Sequence, residues 1–428
     1  MLRIVCVSAG TLIWIAASSL LASAQDPAVD STADLPKGWI VSAPPGIFSE
    51  PIALKKLMNA TDGVAAPDRV RGDGPYVELG NMITGAGWIS AGPGYRQHLL
   101  DGRMVLEGSA AVSWKLYQVV QGSLELPHLA HDRVSLGSQV MYQDLQQVDY
   151  FGFGNDSRES AGSAYRFKNT DVLGYGTYRA TSWMLVRGRA GWISKPDLLE
   201  PQGPRLTRPS TLRVFDNASA PGLTSPPTML HGDLSVSLDW CNHAGHPTEG
   251  GLFRASIAGY SDRDQGTYSF RRYELEASQV VPLFTTKWIL AVHGWEVFSD
   301  TATGREVPFF LMPSLGGQNT LRGYTDYRFH DRDMQSFNAE SRWSLYTHLD
   351  LAAFYDTGKV ASRAGDLDFN NMKHAYGLGL RLHNASTMLA RLDVGHGTEG
   401  WHVFFKMNDP FRRTKPAFGR SSVVPFVP

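Results

Sequence analysis

From Phe337 to the neighbourhood of Phe411 one segment after another alternates with period two. Successive side chains of a strand point to opposite faces, so this alternation marks strands with two unlike surfaces. In 337–346 one face reads Phe337, Ala339, Ser341, Trp343 and Leu345, and the other Asn338, Glu340, Arg342, Ser344 and Tyr346. In 349–358 Leu349, Leu351, Ala353 and Tyr355 oppose Asp350, Ala352, Phe354, Asp356 and Gly358. The pattern continues as Tyr376, Leu378, Leu380 and Leu382 against Gly377, Gly379, Arg381 and His383, then Met388, Ala390, Leu392 and Val394 against Leu389, Arg391 and Asp393. It ends on Val403, Phe405 and Met407 against His402, Phe404, Lys406 and Asn408. Alternation alone also fits a soluble sandwich with its apolar face inside. The charge-rich second face, the chain length and an export signal together favour an all-β fold: a transmembrane antiparallel β-barrel with lipid outside and a polar lumen.

The export signal is Arg3, the apolar run Ile4 to Leu21 and the small-residue site Ala22-Ser23-Ala24, so residues 1–24 are read as a signal peptide and the mature chain begins at Gln25. Cys6 leaves with it, and Cys241 alone remains, which excludes an intramolecular disulfide framework. Lys plus Arg number 40 and Asp plus Glu 41, so no field of one sign draws the chain to nucleic acid. After the signal no apolar run approaches the ~18 residues of a spanning helix. Glycine at 43 and aromatics at 11% suit turns and interface rings.

Residues 76–411 are read as the barrel, and at about 10 residues per strand with connections of similar length about 16 strands fit. Residues 25–75, punctuated by Pro27, Pro36, Pro44, Pro45, Pro51, Pro67 and Pro75, read as an extended periplasmic arm. Its apolar cluster of Ile47, Phe48, Ile52, Leu54, Leu57 and Met58 is either a short amphipathic helix at the barrel mouth or membrane surface, or an ordinary linker. Met104 to Trp114 and Leu234 to Trp240 alternate as wall strands. Proline-rich 195–231 cannot be a central strand and reads as a long surface loop. Phe411 is expected to close the last strand, leaving 412–428 as a C-terminal extension.

The motif Gly316-Gly317-Gln318-Asn319-Thr320-Leu321-Arg322-Gly323-Tyr324 puts an arginine in a glycine-rich loop, and Phe354-Tyr355-Asp356-Thr357-Gly358 puts an acid on a later strand, a candidate buried ion pair. With Asp331-Arg332-Asp333, Asn338-Ala339-Glu340-Ser341-Arg342 and Tyr376-Gly377-Leu378-Gly379, these residues resemble the barrel of the BamA/TamA superfamily, the bacterial surface antigen family. Phe151-Gly152-Phe153-Gly154-Asn155-Asp156-Ser157 is similar to a glycine-rich loop of its shorter members. The resemblance implies a 16-stranded outer-membrane barrel whose sixth external loop folds back into the lumen. Arg322 would be its tip, paired with Asp356 and Glu340 on the wall, with Phe354 and Gly358 beside them. A guanidinium inserted there needs carboxylates to offset its desolvation.

Family members that insert other barrels carry several periplasmic POTRA domains, and residues 25–75 are too short and too proline-rich for such an array. The resemblance therefore implies a short member with a role in protein assembly or translocation at the outer membrane, working with a client barrel or a separate periplasmic partner. The alternative is a structural barrel or passive pore with a plugged lumen. No Gly-x-Ser-x-Gly elbow occurs, so an enzyme is not expected. His128-Leu129-Ala130-His131 places its two rings on opposite faces of a strand and lacks a third ligand, so neither a metal nor a cofactor is expected.

Overall fold

The computed structural model describes residues 45–61, 73–79, 89–203, 206–242, 246–384, 388–407 and 409–411. The residues read as a signal peptide, most of those read as an arm and those read as a C-terminal extension lie outside the described residues.

Sixteen strands follow one another as an antiparallel meander. They are β1 (Gly74–Leu79), β2 (Ser90–Leu99), β3 (Met104–Ser113), β4 (Gln118–Leu129), β5 (Val134–Tyr150), β6 (Ser163–Thr181), β7 (Met184–Ile193) and β8 (Met229–Asp239), then β9 (Gly250–Asp262), β10 (Phe270–Pro282), β11 (Trp288–Thr301), β12 (Asp333–Tyr346), β13 (Leu349–Ala361), β14 (Lys373–His383), β15 (Met388–Gly397) and β16 (Gly400–Lys406). Each pairs with the next in the chain. A seventeenth strand, Asp197–Leu199, attaches to β6 beside the wall. Among the described residues β1 with 6 and β16 with 7 are the shortest of the sixteen.

Burial settles which way the alternating faces point. On β14 Leu378 is 58% exposed whereas Arg381 is 0%, and on β12 Glu340 is fully buried. The charges line the interior and the apolar residues face outward, the reverse of a soluble sandwich and the arrangement of a lipid-facing barrel. Outward aromatic residues gather at both ends: Trp114, Trp192 and Trp401 at the end with long loops, and Trp183 and Phe284 at the end with short turns. Such rings anchor at the two membrane–water interfaces. No helix among the described residues is long and apolar enough to cross a membrane. Replacing Leu378 by Arg should therefore cost about 2–4 kcal/mol at mid-membrane. Urea unfolding in lipid vesicles measures this, and an unchanged midpoint would contradict the lipid-facing assignment.

The lumen is filled by its own loops. The 302–332 connection between β11 and β12 turns inward and adds a two-stranded ribbon, Ser314–Leu315 with Phe329–His330. Its first half places Val307, Phe309, Phe310, Leu311 and Met312 in an apolar cluster with Tyr150, Tyr165 and Phe167 of the wall. Of proline-rich 195–231, expected as a long surface loop, Ala220 and Leu223 instead enter this cluster and Met229 to His231 open β8. Apolar residues between the prolines explain the difference, since the mouth offers them cover from water.

At the short-turn end the amphipathic cluster of the arm forms helix α1 (Ile52–Thr61). The segment leading into it docks on the end of β12, where the N–H groups of Ile47 and Phe48 donate to the carbonyls of Ser344 and Leu345 at 2.8 and 2.9 Å. His348 faces Glu50 at 2.7 Å. Of the two alternatives for this cluster, contact with the barrel mouth is the one observed.

Candidate functional site: the buried charge cluster under the lumen loop

The 316–324 motif forms a tight turn inside the barrel. Gly316 and Gly317 have φ of +112° and +86°, where a side chain is strained. The turn closes through the N–H of Gly317 donating to the carbonyl of Tyr324 at 3.0 Å. Leu321 and Tyr324 pack with Trp295, Val297, Leu315, Phe329 and Val360, so an apolar foot fixes the loop to the wall. Gly358 leaves the space that Leu315 occupies, since a Cβ there would lie 2.9 Å from its methyl carbon.

Arg322 projects from this turn. Its Nε and Nη2 donate to the two oxygens of Asp356 at 2.8 and 2.7 Å, its backbone N–H adds a third bond at 3.1 Å, and Nη1 donates to Glu340 at 2.6 Å. The guanidinium carbon lies 3.6 Å from the centre of the Phe354 ring. Both expected partners are thus in place, and Phe354 supplies a cation–π floor.

The site is larger than the motif suggested. Glu340 also accepts from Arg381 at 2.9 and 2.7 Å and from Arg342 at 2.7 Å. Asp393 lies 2.7 Å from Arg381 and 2.8 Å from Arg391, and Asp409 accepts from Arg342 at 2.9 and 3.3 Å. Four guanidiniums meet four carboxylates, so the cluster is formally neutral. That balance makes burial tolerable, because an unpaired ion at this depth would carry its full desolvation cost. Arg381 and Arg391 are direct cross-strand partners, a like-charge pair that destabilises a sheet unless anions interleave. Glu340 and Asp393 supply them. Arg391 reaches back to the loop, donating to the Gln318 carbonyl at 3.0 Å and the Asn319 side chain at 2.8 Å. Sequence reasoning placed Arg342, Arg381, Arg391 and Asp393 on the inner face without joining them. Their shared strand parity with Glu340 and Asp356 was the available signal.

Glycines make the approach possible. The loop tip at Gly323 lies on Gly395 to Gly397 of β15, where a Cβ on Gly395 would overlap the carbonyl of Arg322. On β14, a Cβ at Gly377 would sit 2.6 Å from the Phe354 ring. Gly395→Val should lift the loop off β15 at about 1–3 kcal/mol or more, as overpacking does. Protease protection of the 316–324 segment reads this, and full protection in the variant would contradict the seat.

The closing-strand expectation needs correction. Phe405 sits in β16 opposite Leu392, as expected. Phe411 lies beyond β16 and turns into the lumen, 3% exposed, against Val280, Ile289 and Ala291. Its ring stacks on His293 at 5.7 Å and faces Arg342 at 5.6 Å. Asp409 explains the turn: bound to Arg342, it also accepts the Phe411 N–H at 2.8 Å, drawing the segment inward.

The Phe151–Ser157 motif caps the long-loop end. Gly154 N–H donates to the His330 carbonyl at 2.8 Å, and Arg328 reaches Ser157 and Glu399. Hydrogen bonds from Asn371 and Lys373 hold the exposed Asp156 carboxyl below its ordinary range. His128 pairs with Asp132 at the surface at 2.8 Å. The fold does gather His246, Asp350 and His383, which sequence spacing did not single out.

With this geometry in view, comparison with known proteins is decisive. The Omp85 superfamily domain matches residues 106–399. The chain belongs to the Omp85 superfamily. The resemblance carried by the Arg322 and Asp356 motifs is thereby borne out, and the chain is an Omp85-type outer-membrane barrel. Among solved structures it is similar to BamA from Haemophilus ducreyi lacking POTRA domains 1–3, with TM-score 0.56 and 16% identity over 78% of this chain and 70% of that one. It is also similar to CdiB from Escherichia coli, with TM-score 0.52 and 13% identity over 80% of this chain and 63% of that one, less than two thirds of the CdiB chain. At these identities the likeness is one of fold. No curated protein matches the chain.

Proposed function

We propose that this protein is a factor for protein assembly or translocation at the bacterial outer membrane, with 302–332 as its lumen loop and the seam between β1 and β16 as its lateral site. The observation that carries this reading is the neutral cluster joining Arg322 to Glu340, Asp356 and Asp393. It ties the loop to β12, β13 and β15, stiffening the wall that leads to the seam while the short edge strands stay free to exchange partners. A sheet edge with unpaired N–H and C=O groups accepts a client strand by augmentation. In this reading the short-turn end and docked arm face the periplasm, and a separate periplasmic partner delivers the client. No covalent chemistry is assigned to the barrel.

Reconstitution in liposomes with an unfolded client barrel tests this. Client folding should exceed the empty-vesicle rate once a periplasmic fraction is supplied. A rate equal to that of empty vesicles, with and without that fraction, would leave the passive plugged barrel as the correct reading.

A further inference from the structure

At the short-turn end a turn reaches across the barrel mouth. In the connection from β8 to β9 the side-chain oxygen of Asn242 accepts the N–H groups of Thr248 and Glu249 at 3.1 and 3.2 Å. This turn carries the buried His246 past β10, β11 and β12 to Asp350, at the start of β13, and His383, at the end of β14. One nitrogen of each imidazole faces a different oxygen of the same carboxylate: His246 Nε2 lies 3.0 Å from Oδ2 and His383 Nε2 lies 3.2 Å from Oδ1. The rings stack, with centroids 3.5 Å apart and planes 23° apart.

His383 Nδ1 is 3.2 Å from the carbonyl of Asn384, and a carbonyl only accepts, so Nδ1 carries the hydrogen. His383 Nε2, 3.2 Å from Asp350 Oδ1, meets the carboxylate either as the N–H of an imidazolium or, when the ring is neutral, as a lone pair that a bridging cation reconciles with it. Asp350 Oδ2 is buried without a hydrogen-bond partner among the described residues, although His246 Nε2 lies 3.0 Å from it. Protonating both rings would stack two imidazolium charges. One divalent cation satisfies both lone pairs and both oxygens. Arg381, the direct cross-strand partner of Asp350, and Arg342 are already neutralised by Glu340, Asp393 and Asp409.

We propose that His246, Asp350 and His383 form a binding site for a divalent transition-metal ion of the zinc class. Two imidazoles and a carboxylate are borderline donors suited to zinc, and their donor atoms all lie within 4.8 Å of one another. The Nδ1–H of His383 on a backbone carbonyl is the outer hydrogen bond that orients a metal-binding imidazole. Three protein ligands leave a fourth position for water. Bound there, the ion staples the β8–β9 connection to the β13–β14 side of the mouth and narrows the short-turn opening.

The test uses the full mature chain, untagged, folded in detergent, stripped with chelator and titrated with zinc or with cobalt as a coloured stand-in. About one equivalent of zinc should survive desalting in the wild type and in the control His128→Ala, and be lost in His246→Ala and in Asp350→Asn. Cobalt should give the intense visible bands of a tetrahedral site in the wild type and in His128→Ala, and not in His246→Ala or Asp350→Asn. Failure of the wild type to retain zinc, or equal retention by His246→Ala, overturns the proposal. Should neither variant fold, the wild-type cobalt spectrum decides: absence of those bands at stoichiometric cobalt overturns it, and their presence supports it.

Discussion

Glu340→Gln should be the most damaging isosteric substitution in the lumen, lowering stability by about 3–5 kcal/mol. Glu340 is completely buried and accepts from Arg322, Arg342 and Arg381. The amide keeps the volume but removes the charge, leaving the cluster one positive charge in excess. It also turns an NH2 donor toward guanidiniums that are themselves donors. Asp409→Asn should cost less, because Asp409 serves Arg342 alone among the guanidiniums and sits at the edge of the cluster. Urea unfolding of barrels folded in vesicles measures both. A Glu340→Gln midpoint no lower than that of Asp409→Asn would refute the central role of Glu340.

Additivity offers a sharper check. Pairing Glu340→Gln with Arg381→Met removes one charge of each sign and restores neutrality. Groups sharing a buried network couple by about 0.5–3 kcal/mol, so the double variant should lose less than the sum of the singles. Simple addition would mean that the contacts act independently.

The wall of this protein was legible because one physical rule repeats along it: a strand between lipid and lumen must alternate, and Leu378 beside Gly379 or Leu392 beside Asp393 records that rule residue by residue. The Arg322–Asp356 pair was legible for a related reason, since a lone arginine in a glycine-rich turn implies a carboxylate partner. The full cluster was not, because parity gives the face of Arg381 and Arg391 but not their height in the barrel, which depends on strand stagger. The inward turn at Phe411 was hidden for a different reason. An apolar residue after an alternating strand looks like its continuation, and only the Asp409–Arg342 pair, formed across 67 positions, redirects it. The gathering of His246, Asp350 and His383 was equally hidden, because a turn crossing the mouth has no local periodicity.

Arg322→Ala should detach the loop tip and open the lumen, costing about 3–5 kcal/mol by leaving Asp356 and part of Glu340 uncompensated. Two consequences separate this from general weakening. The 316–324 turn is held by the apolar foot of Leu315, Leu321 and Tyr324, by the ionic tip at Arg322 and by hydrogen bonds from Arg391 and Asn338 to Gln318, Asn319 and Thr320. Loss of the tip alone should leave the foot seated, giving a folded barrel with larger and noisier conductance in planar bilayers. Arg322→Lys tests how geometry contributes beyond charge. An ammonium keeps the positive charge but cannot reproduce the fork that engages both oxygens of Asp356 while reaching Glu340, and it lies less well over the Phe354 ring. Its conductance and stability should fall between those of the wild type and the alanine variant. Wild-type conductance and heat stability in Arg322→Ala would mean that the loop is held without its ionic tip, by the apolar foot and the bonds from Arg391 and Asn338. In that case the charge cluster would brace the wall rather than secure the loop, and the role proposed for it in readying the seam would have to be abandoned.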